Sequence, residues 1–174
     1  HNRCRRQRQM CIRDRALLNQ HEAGLRPTLD TNGPMVTVRR HVPVDWTDYN
    51  GHMNEGRYGQ VFSDAADAVM VHVGADAAYI KAGKSYFTVE TAVKYLQETH
   101  AGSVVEVHSI VTVGAGKKLG LFHEMRRLDG TVLATCDQLM IHVDLETRRS
   151  SLPTGDVQIK VEALAAAFKS EDML

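Results

Sequence analysis

One stretch of the chain has the pattern of a helix with apolar residues on most of its sides. Over residues 57–73, apolar side chains recur every three or four positions, and Gly74 then ends the run as a C-cap would. Alanines occupy much of the remaining surface, which predicts a helix that is enclosed rather than laid on a surface. A helix of this kind needs a sheet curled around it, and this need constrains the fold.

The segments on either side of this helix alternate with a period of two and supply the sheet. One strand is predicted over 36–44, ahead of the helix, and residues 157–168 close the chain as an amphipathic helix. Four further strands are predicted at 86–98, 104–113, 119–127 and 132–143. These four can pair as an antiparallel meander, so the expected fold class is α+β. Because such a sheet leaves an open edge, we expect a homodimer or homotetramer.

The first 34 residues differ in composition from the rest. Residues 1–15 contain six arginines and one acid, so their charge is +5 and the remaining residues must sum to −5 to reach the net charge of 0. The run over 10–15 resembles translated adaptor sequence, and Pro27, Asn32 and Gly33 punctuate the segment after it. We therefore expect a partly non-native tail and linker over 1–34 and one domain over 35–174.

Composition excludes several classes of protein. A net charge of zero argues against nucleic-acid binding, unless the basic segment 1–15 is a native arm that contacts a nucleic acid or a membrane surface. The longest apolar stretch, 65–73, is far shorter than the ~18 residues of a membrane span. The three cysteines, Cys4, Cys11 and Cys136, are odd in number and irregularly spaced, so neither a disulfide framework nor a zinc knuckle is indicated. We expect no nucleic-acid or membrane partner and a reducing, cytoplasmic location.

The loop ahead of the central helix concentrates side chains that can do chemistry. Residues 45–58 read DWTDYNGHMNEGRY, and loops held by rigid elements commonly carry catalytic groups. The start of the helix offers unpaired N–H groups for an oxyanion, and Asp48 lies upstream to attack or to activate water. Each residue also has a structural interpretation: Asp48 as a turn residue, Asn54 as an N-cap and His52 as a structural histidine.

This loop and the order of elements around it resemble the hotdog-fold thioesterases of the 4-hydroxybenzoyl-CoA type. In that family the first strand leads into an Asp-x-Asp-x-x-x-His-x-Asn loop whose second aspartate is catalytic. Here Asp45 and Asp48 are one residue further apart, and Asp48 fits the catalytic position. The resemblance covers about 36–153 and implies a hotdog fold that hydrolyses a small acyl-CoA to the free acid and CoA, without cofactor or metal ion.

The resemblance also implies roles for the loop residues. Asp48 is expected to act as nucleophile, through a mixed anhydride, or as general base on a water molecule. His52 and Asn54 are expected to position the carboxylate, the water or the thioester. The backbone N–H near Glu55 is expected to bind the carbonyl oxygen of the thioester.

The acyl group and the CoA moiety have their own candidate residues. Four aromatic residues near the loop can bind an aromatic acyl group or a quaternary ammonium, or can simply be core: Trp46, Tyr49, Tyr58 and Phe62. Glu90 on the second strand is expected either to line the acyl pocket or to lie on a solvated face. The basic residues expected to bind the CoA phosphates, unless they are ordinary exposed hairpin residues, are Lys117, Lys118 and Arg149.

Residues 48–58 are most similar to the betainyl-CoA thioesterases of carnitine degradation. Some members of that group are fused behind a carnitine dehydrogenase, so residues 16–34 are interpreted as the remnant of such a junction. Two alternative functions stay open. One is a hotdog hydratase or dehydratase, which uses an Asp-x-x-x-x-His pair that is one residue longer than the spacing of Asp48 and His52. The other is a non-catalytic acyl-CoA-binding module.

Overall fold

The computed structural model describes residues 34–171, so the composition-based predictions for residues 1–33 lie outside the described residues. Its helices are α1 (Glu55–Val73), α2 (Ala77–Lys81) and α3 (Gly155–Glu171), with a short 3-10 helix at Val44–Trp46. Its strands are β1 (Met35–His41), β2 (Lys84–Tyr95), β3 (Val104–Ala115), β4 (Lys118–Arg127), β5 (Val132–Asp144) and β6 (Arg149–Ser150). Of the helices described, none is long and apolar enough to cross a bilayer.

The strands form one antiparallel sheet in the order β1-β3-β4-β5-β2, with β6 pairing with β5. The predicted meander is correct for β3, β4 and β5 but wrong for β2, which pairs with β5 instead of β3. The reason is that β1 occupies the free edge of β3, and only the edge of β5 is left for β2. A pattern of alternating apolar residues predicts a strand but does not indicate which other strand it pairs with.

The sheet curls around α1, as the apolar pattern of this helix predicts. The buried residues of α1 lie on the side that the sheet covers: Tyr58, Val61, Phe62, Ala65, Ala66, Ala68, Val69 and Val73. The opposite side, which includes Gln60, Ser63 and Val71, is exposed in the single chain. Gly74 caps the helix with φ at 90°, a conformation that favours glycine. The result is the α+β hotdog arrangement, an antiparallel sheet around a long central helix.

Besides the 3-10 helix at Val44–Trp46, two elements of the structure have no counterpart in the sequence predictions. The N-cap of the five-residue helix α2 is Asp76, whose carboxylate accepts hydrogen bonds from the amides of Ala78 and Tyr79. Strand β6 contains only two residues. Neither segment is long enough to show a periodic pattern. The predicted closing helix is confirmed as α3, which packs on β3 at Gly114, where a Cβ atom would lie 2.5 Å from the carbonyl oxygen of Val161.

Candidate active site

The N-terminus of α1 faces a cavity of about 390 Å³. One wall comes from the loop ahead of α1 and from its first turn: Asp48, Met53, Asn54, Glu55 and Tyr58. The other wall comes from the end of β2 and the residues after it: Tyr95, Leu96, Gln97 and Glu98. Strand β2 follows α1 after a short connection and runs back along it, so its end returns to the start of the helix.

Asp48 is held at the cavity by the turn that contains it. Its Oδ1 atom accepts hydrogen bonds from the amide of Asn50 at 2.8 Å and from that of His52 at 3.4 Å. Its own amide donates to the carbonyl of His52, and Gly51 closes the turn with φ at 80°. The turn interpretation of Asp48 is therefore confirmed. The same hydrogen bonds orient the carboxylate, and Asp48 lines the cavity.

Asn54 is the N-cap of α1, as its structural interpretation predicts. Its Oδ1 atom accepts the amide of Gly56 at 3.0 Å, and its carbonyl accepts the amide of Arg57. No described residue accepts a hydrogen bond from the amide of Glu55, which lies between them on the cavity wall. An unpaired N–H at the positive end of a helix dipole is suited to an oxyanion.

His52 lies beside the cavity and contacts two residues that follow β2. Its Nε2 atom is 3.4 Å from Oε2 of Glu98, and its ring meets that of His100 edge-on, with centroids 4.9 Å apart. His52 and His100 are also joined by an isolated antiparallel bridge. The loop that contains Asp48 is thereby tied to the segment that follows β2.

Two tyrosines form the aromatic part of the cavity. Tyr58 of α1 and Tyr95 of β2 pack edge to face with centroids 5.3 Å apart. Burial raises the pKa of Tyr58, and the nearby guanidinium of Arg127 offsets part of this rise, so the phenol stays neutral at physiological pH. Sequence reasoning missed Tyr95. The signal for it was available, because a strand that returns along the helix must end near the loop that precedes the helix.

The remaining predicted acyl-binding residues do not line this cavity in the single chain. Phe62 is fully buried and packs near His123, whereas Tyr49 is almost fully exposed. The ring of Trp46 is approached by two guanidinium groups, those of Arg40 and Arg57, with centroid distances of 5.3 and 5.4 Å. Those arginines hold the positions over the indole that a substrate cation would need.

Glu90 is turned away from the cavity by a β-bulge. Tyr86 points inward, but the register of β2 against β5 shifts between Thr88 and Glu90. After the shift the inward positions are odd-numbered: the hydroxyl of Thr91 accepts from Gln138, and Val93 packs against the core. Glu90 is consequently exposed, in agreement with its interpretation as a solvated charge.

The three predicted CoA-binding residues lie together, but at the far end of the sheet. Lys117 and Lys118 are at the turn between β3 and β4, and Lys117 donates to the carbonyl and hydroxyl of Ser150, next to Arg149. The cavity lies at the other end of these strands. Strands of 12 and 10 residues separate the two places by about 30 Å within one chain.

The sequence of the chain matches one family model and is similar to those of several named proteins. The family model described as Thioesterase-like superfamily matches residues 42–168. A protein of Ruegeria pomeroyi named L-carnitine dehydrogenase/betainyl-CoA thioesterase is 43% identical over 159 residues, covering 87% of this chain and 32% of that protein. A protein of Pseudomonas aeruginosa named betainyl-CoA thioesterase is 37% identical over 138 residues, covering 78% of this chain and 87% of that protein. The chain thus spans about a third of the first relative's length.

A solved structure shares the fold. The structure of a hypothetical protein from Staphylococcus aureus in complex with CoA matches with a TM-score of 0.72 and 24% identity, covering 75% of this chain and 83% of that chain. The predicted hotdog fold is thereby confirmed. The family match includes the loop with Asp48, the central helix and the whole of β2 to β6. The chain belongs to the Thioesterase-like superfamily.

Proposed function

We propose that this chain hydrolyses small acyl-CoA thioesters to the free acid and CoA, with Asp48 as the catalytic carboxylate. One observation supports this most directly: the oriented carboxylate of Asp48 and the unpaired amide of Glu55 line the same cavity. A thioester carbonyl placed between them receives a hydrogen bond on its oxygen from the amide and faces the carboxylate with its carbon. The names of the relatives agree with this reaction.

In the proposed reaction, Asp48 either attacks the carbonyl carbon or removes a proton from the water that attacks it. The oxygen of the resulting tetrahedral intermediate is held by the Glu55 amide, and collapse breaks the C–S bond. Because a thiol has a pKa of about 8.5, CoA leaves as a thiolate with little help from an acid. If Asp48 attacks, water then hydrolyses the mixed anhydride. Asn54 and His52 act as positioning residues, Asn54 through the helix cap and His52 through its contacts with the loop.

Release of free thiol tests the reaction itself. A panel of betainyl-CoA, hydroxybenzoyl-CoA and short-chain acyl-CoA substrates is incubated with the full chain, and the thiol is followed with a chromogenic reagent. We expect enzyme-dependent release for at least one small acyl group. Neither a hydratase nor a non-catalytic binding module releases thiol, so a stable thioester throughout the panel would contradict the proposal.

We infer that the acyl group is cationic, with betainyl-CoA as the substrate. The cavity brings three carboxylates, from Asp48, Glu55 and Glu98, close to the rings of Tyr58 and Tyr95. Carboxylates and aromatic faces are the groups that attract a quaternary ammonium. The same cavity gives a neutral acyl group no comparable charge interaction.

Glu98→Gln is expected to lower the preference for the cationic substrate. The preference is the ratio of kcat/KM for betainyl-CoA to that for 3,3-dimethylbutanoyl-CoA, which has the same shape but a carbon in place of the charged nitrogen. Loss of one partly exposed carboxylate, worth about 1 kcal/mol, lowers this ratio about fivefold. The control Glu162→Gln removes an exposed carboxylate on α3 and should leave the ratio unchanged. Equal ratios in wild type and Glu98→Gln would rule out this role for Glu98.

We propose that the working form is a homodimer, or a homotetramer built from such dimers, joined through the edge of β2. Strand β2 has an open edge and exposed apolar residues, with Phe87 39% and Val89 59% exposed. Antiparallel pairing of two such edges sets the end of one β2 near the beginning of the other. Lys117, Lys118 and Arg149 of one chain would then approach the cavity of the next, where they could bind the CoA phosphates.

Val89→Glu is expected to shift the protein toward monomers. A charge on the pairing edge repels its counterpart on a second copy and opposes strand pairing. Light scattering coupled to size-exclusion chromatography gives the molar mass at several concentrations. Ile159→Glu, a change at an equally exposed apolar residue of α3, should keep the mass of the wild type. Identical masses for both variants would show that the copies associate elsewhere.

We further propose that the chain works with, or is joined to, a carnitine dehydrogenase. The support is the name of the Ruegeria relative, which pairs the two activities. We propose a reducing, cytoplasmic location for this chain. The support is Cys136, which is buried as a free thiol in the core.

A further inference from the structure

Three side chains at the rim of the cavity can act together as metal ligands. These are His52, Glu98 and His100, whose ligand atoms all lie within 4.8 Å of one another. Two imidazoles and one carboxylate suit Zn²⁺ and related transition metals, whereas Mg²⁺ and Ca²⁺ prefer oxygen ligands alone. The proposed hydrolysis makes no use of the His100 ring.

The backbone brings these ligands together before any ion binds. The antiparallel bridge between His52 and His100 sets the two imidazoles opposite each other. Thr99 is fully buried, and its carbonyl accepts the amide of Met53 at 2.8 Å. Because neighbours in an extended segment point to opposite sides, Glu98 and His100 both project to the outer side, toward His52. The cluster is therefore a consequence of the local fold rather than a chance meeting of long side chains.

The hydrogen bonding of His100 also matches that of a metal ligand. Its Nδ1 atom lies 3.2 Å from the carbonyl oxygen of Gly51. A ligating histidine commonly donates its second N–H to a backbone carbonyl or carboxylate, which fixes the tautomer and aims the other nitrogen at the ion. With Nδ1 engaged in this way, Nε2 is the nitrogen of His100 that is left to bind an ion beside His52 and Glu98, which meet at 3.4 Å.

We propose that His52, Glu98 and His100 bind one Zn²⁺ ion and that the bound ion inhibits the enzyme. The inhibition, though not the binding, rests on the proposed function. In a tetrahedral zinc site neighbouring ligand atoms are about 3.3 Å apart, so the widest separation must shrink by about 1.5 Å. Rotation of the exposed Glu98 side chain supplies this movement. Water fills the fourth position, as the site is open to solvent.

Inhibition is a consequence of where the ion sits. Zinc takes Nε2 of His52 and the carboxylate of Glu98, a residue of the cavity wall. Glu98 then no longer attracts a cationic acyl group, and the added positive charge at the rim repels one. Zinc is expected to raise KM for betainyl-CoA more than for the neutral 3,3-dimethylbutanoyl-CoA.

Binding is tested with Zn²⁺ by calorimetry and with Co²⁺ by its visible absorption, on the full chain. The parent protein has Cys4 and Cys11 replaced by serine, because thiolates would compete for the ion. We expect one ion per chain, and a dissociation constant at least about tenfold higher in His100→Gln. The metal-free turnover of His100→Gln should equal that of the parent. The matched control is His41→Gln, which removes an exposed histidine of β1 outside the cluster and should bind zinc as the parent does.

The possible outcomes test the metal site, the inhibition and the proposed function separately. Equal zinc affinity in the parent and in His100→Gln, or no binding by the parent, overturns the site. Binding that depends on His100 but leaves kcat/KM for betainyl-CoA unchanged overturns the inhibition. If the ion binds as expected and the chain releases no thiol from any acyl-CoA, the metal site stands and the proposed function fails.

Discussion

Asp48→Asn is expected to lower kcat/KM for the best acyl-CoA substrate about a thousandfold. The carboxylate is the only group on the cavity for which we propose a role as nucleophile or base, and such groups contribute about 10²–10⁴ to a rate. An amide is neither basic nor nucleophilic enough to replace it. The oxygen of asparagine can still accept the amides of Asn50 and His52, so the turn should stay intact.

The matched control for this change is Asp45→Asn. Asp45 belongs to the same loop, is exposed and does not line the cavity. It is also the other aspartate of the Asp-x-x-Asp pattern, so the two variants together decide which acid is catalytic. We expect turnover of Asp45→Asn within about twofold of wild type and equal melting temperatures for both variants. Full activity in Asp48→Asn would show that the catalytic carboxylate lies elsewhere.

The position of this candidate site could be read from the sequence because its determinants are local. Asp48, Asn54 and the start of α1 follow one another in the chain, and turn and cap chemistry depends on neighbours only. The enclosed helix and the strands follow from periodicity in the same way. These features depend on no knowledge of which strand pairs with which.

The aromatic residues show where sequence reasoning ends. Tyr58 and Phe62 share one side of α1, so the sequence makes them equal candidates for substrate binding. One helical turn, about 5.4 Å, separates them along the axis. Tyr58 therefore lines the cavity, whereas Phe62, one turn further along, lies in the closed core beside His123. Depth below a surface is set by the sheet that covers the helix, and the helix sequence does not record it.

Glu90 illustrates a second reason why the residues of the cavity could not all be predicted from the sequence. Strict alternation from the inward residue Tyr86 would place Glu90 on the inner side of β2. The bulge between Thr88 and Glu90 inserts one residue and reverses the side on which every later residue lies. Tyr95 is thereby brought to the cavity and Glu90 is turned away from it. A bulge has no dependable signature in a single sequence, so this exchange of sides could not be predicted.

Several buried polar residues could not be identified by pattern analysis, and together with the exposed Thr91 they form a hydrogen-bonded chain across the sheet. Thr37 of β1 contacts Ser109 of β3 at 2.7 Å, and Ser109 contacts Nδ1 of His123 at 2.7 Å. Nε2 of His123 lies 3.2 Å from Oε1 of Gln138, which in turn donates to Thr91 of β2. The chain thus links all five long strands at one level, and His123 is its centre.

The unfolding free energy is expected to fall by about 2 kcal/mol between pH 7.5 and pH 5 on account of His123 alone. Burial lowers the pKa of His123 from 6.5 to about 4, although the hydrogen bond to Gln138 opposes this shift. The unfolded chain therefore binds the proton first as the pH falls. The stability that the neutral ring provides is complete above about pH 7 and is lost progressively from pH 6.5 down to about 4. Urea unfolding at a series of pH values measures this loss.

His123→Leu isolates this contribution, because leucine is similar in size and does not titrate. Other groups, including His142, whose pKa burial also lowers, still titrate in the variant. Subtracting the unfolding free energy of the variant from that of the wild type therefore leaves the contribution of His123. This difference should be about 2 kcal/mol lower at pH 5 than at pH 7.5. Parallel profiles would contradict the prediction. An NMR titration of the ring in the wild-type protein gives a second reading, in which a neutral imidazole at pH 5 is expected and a charged one would mean that the buried chain tolerates the proton.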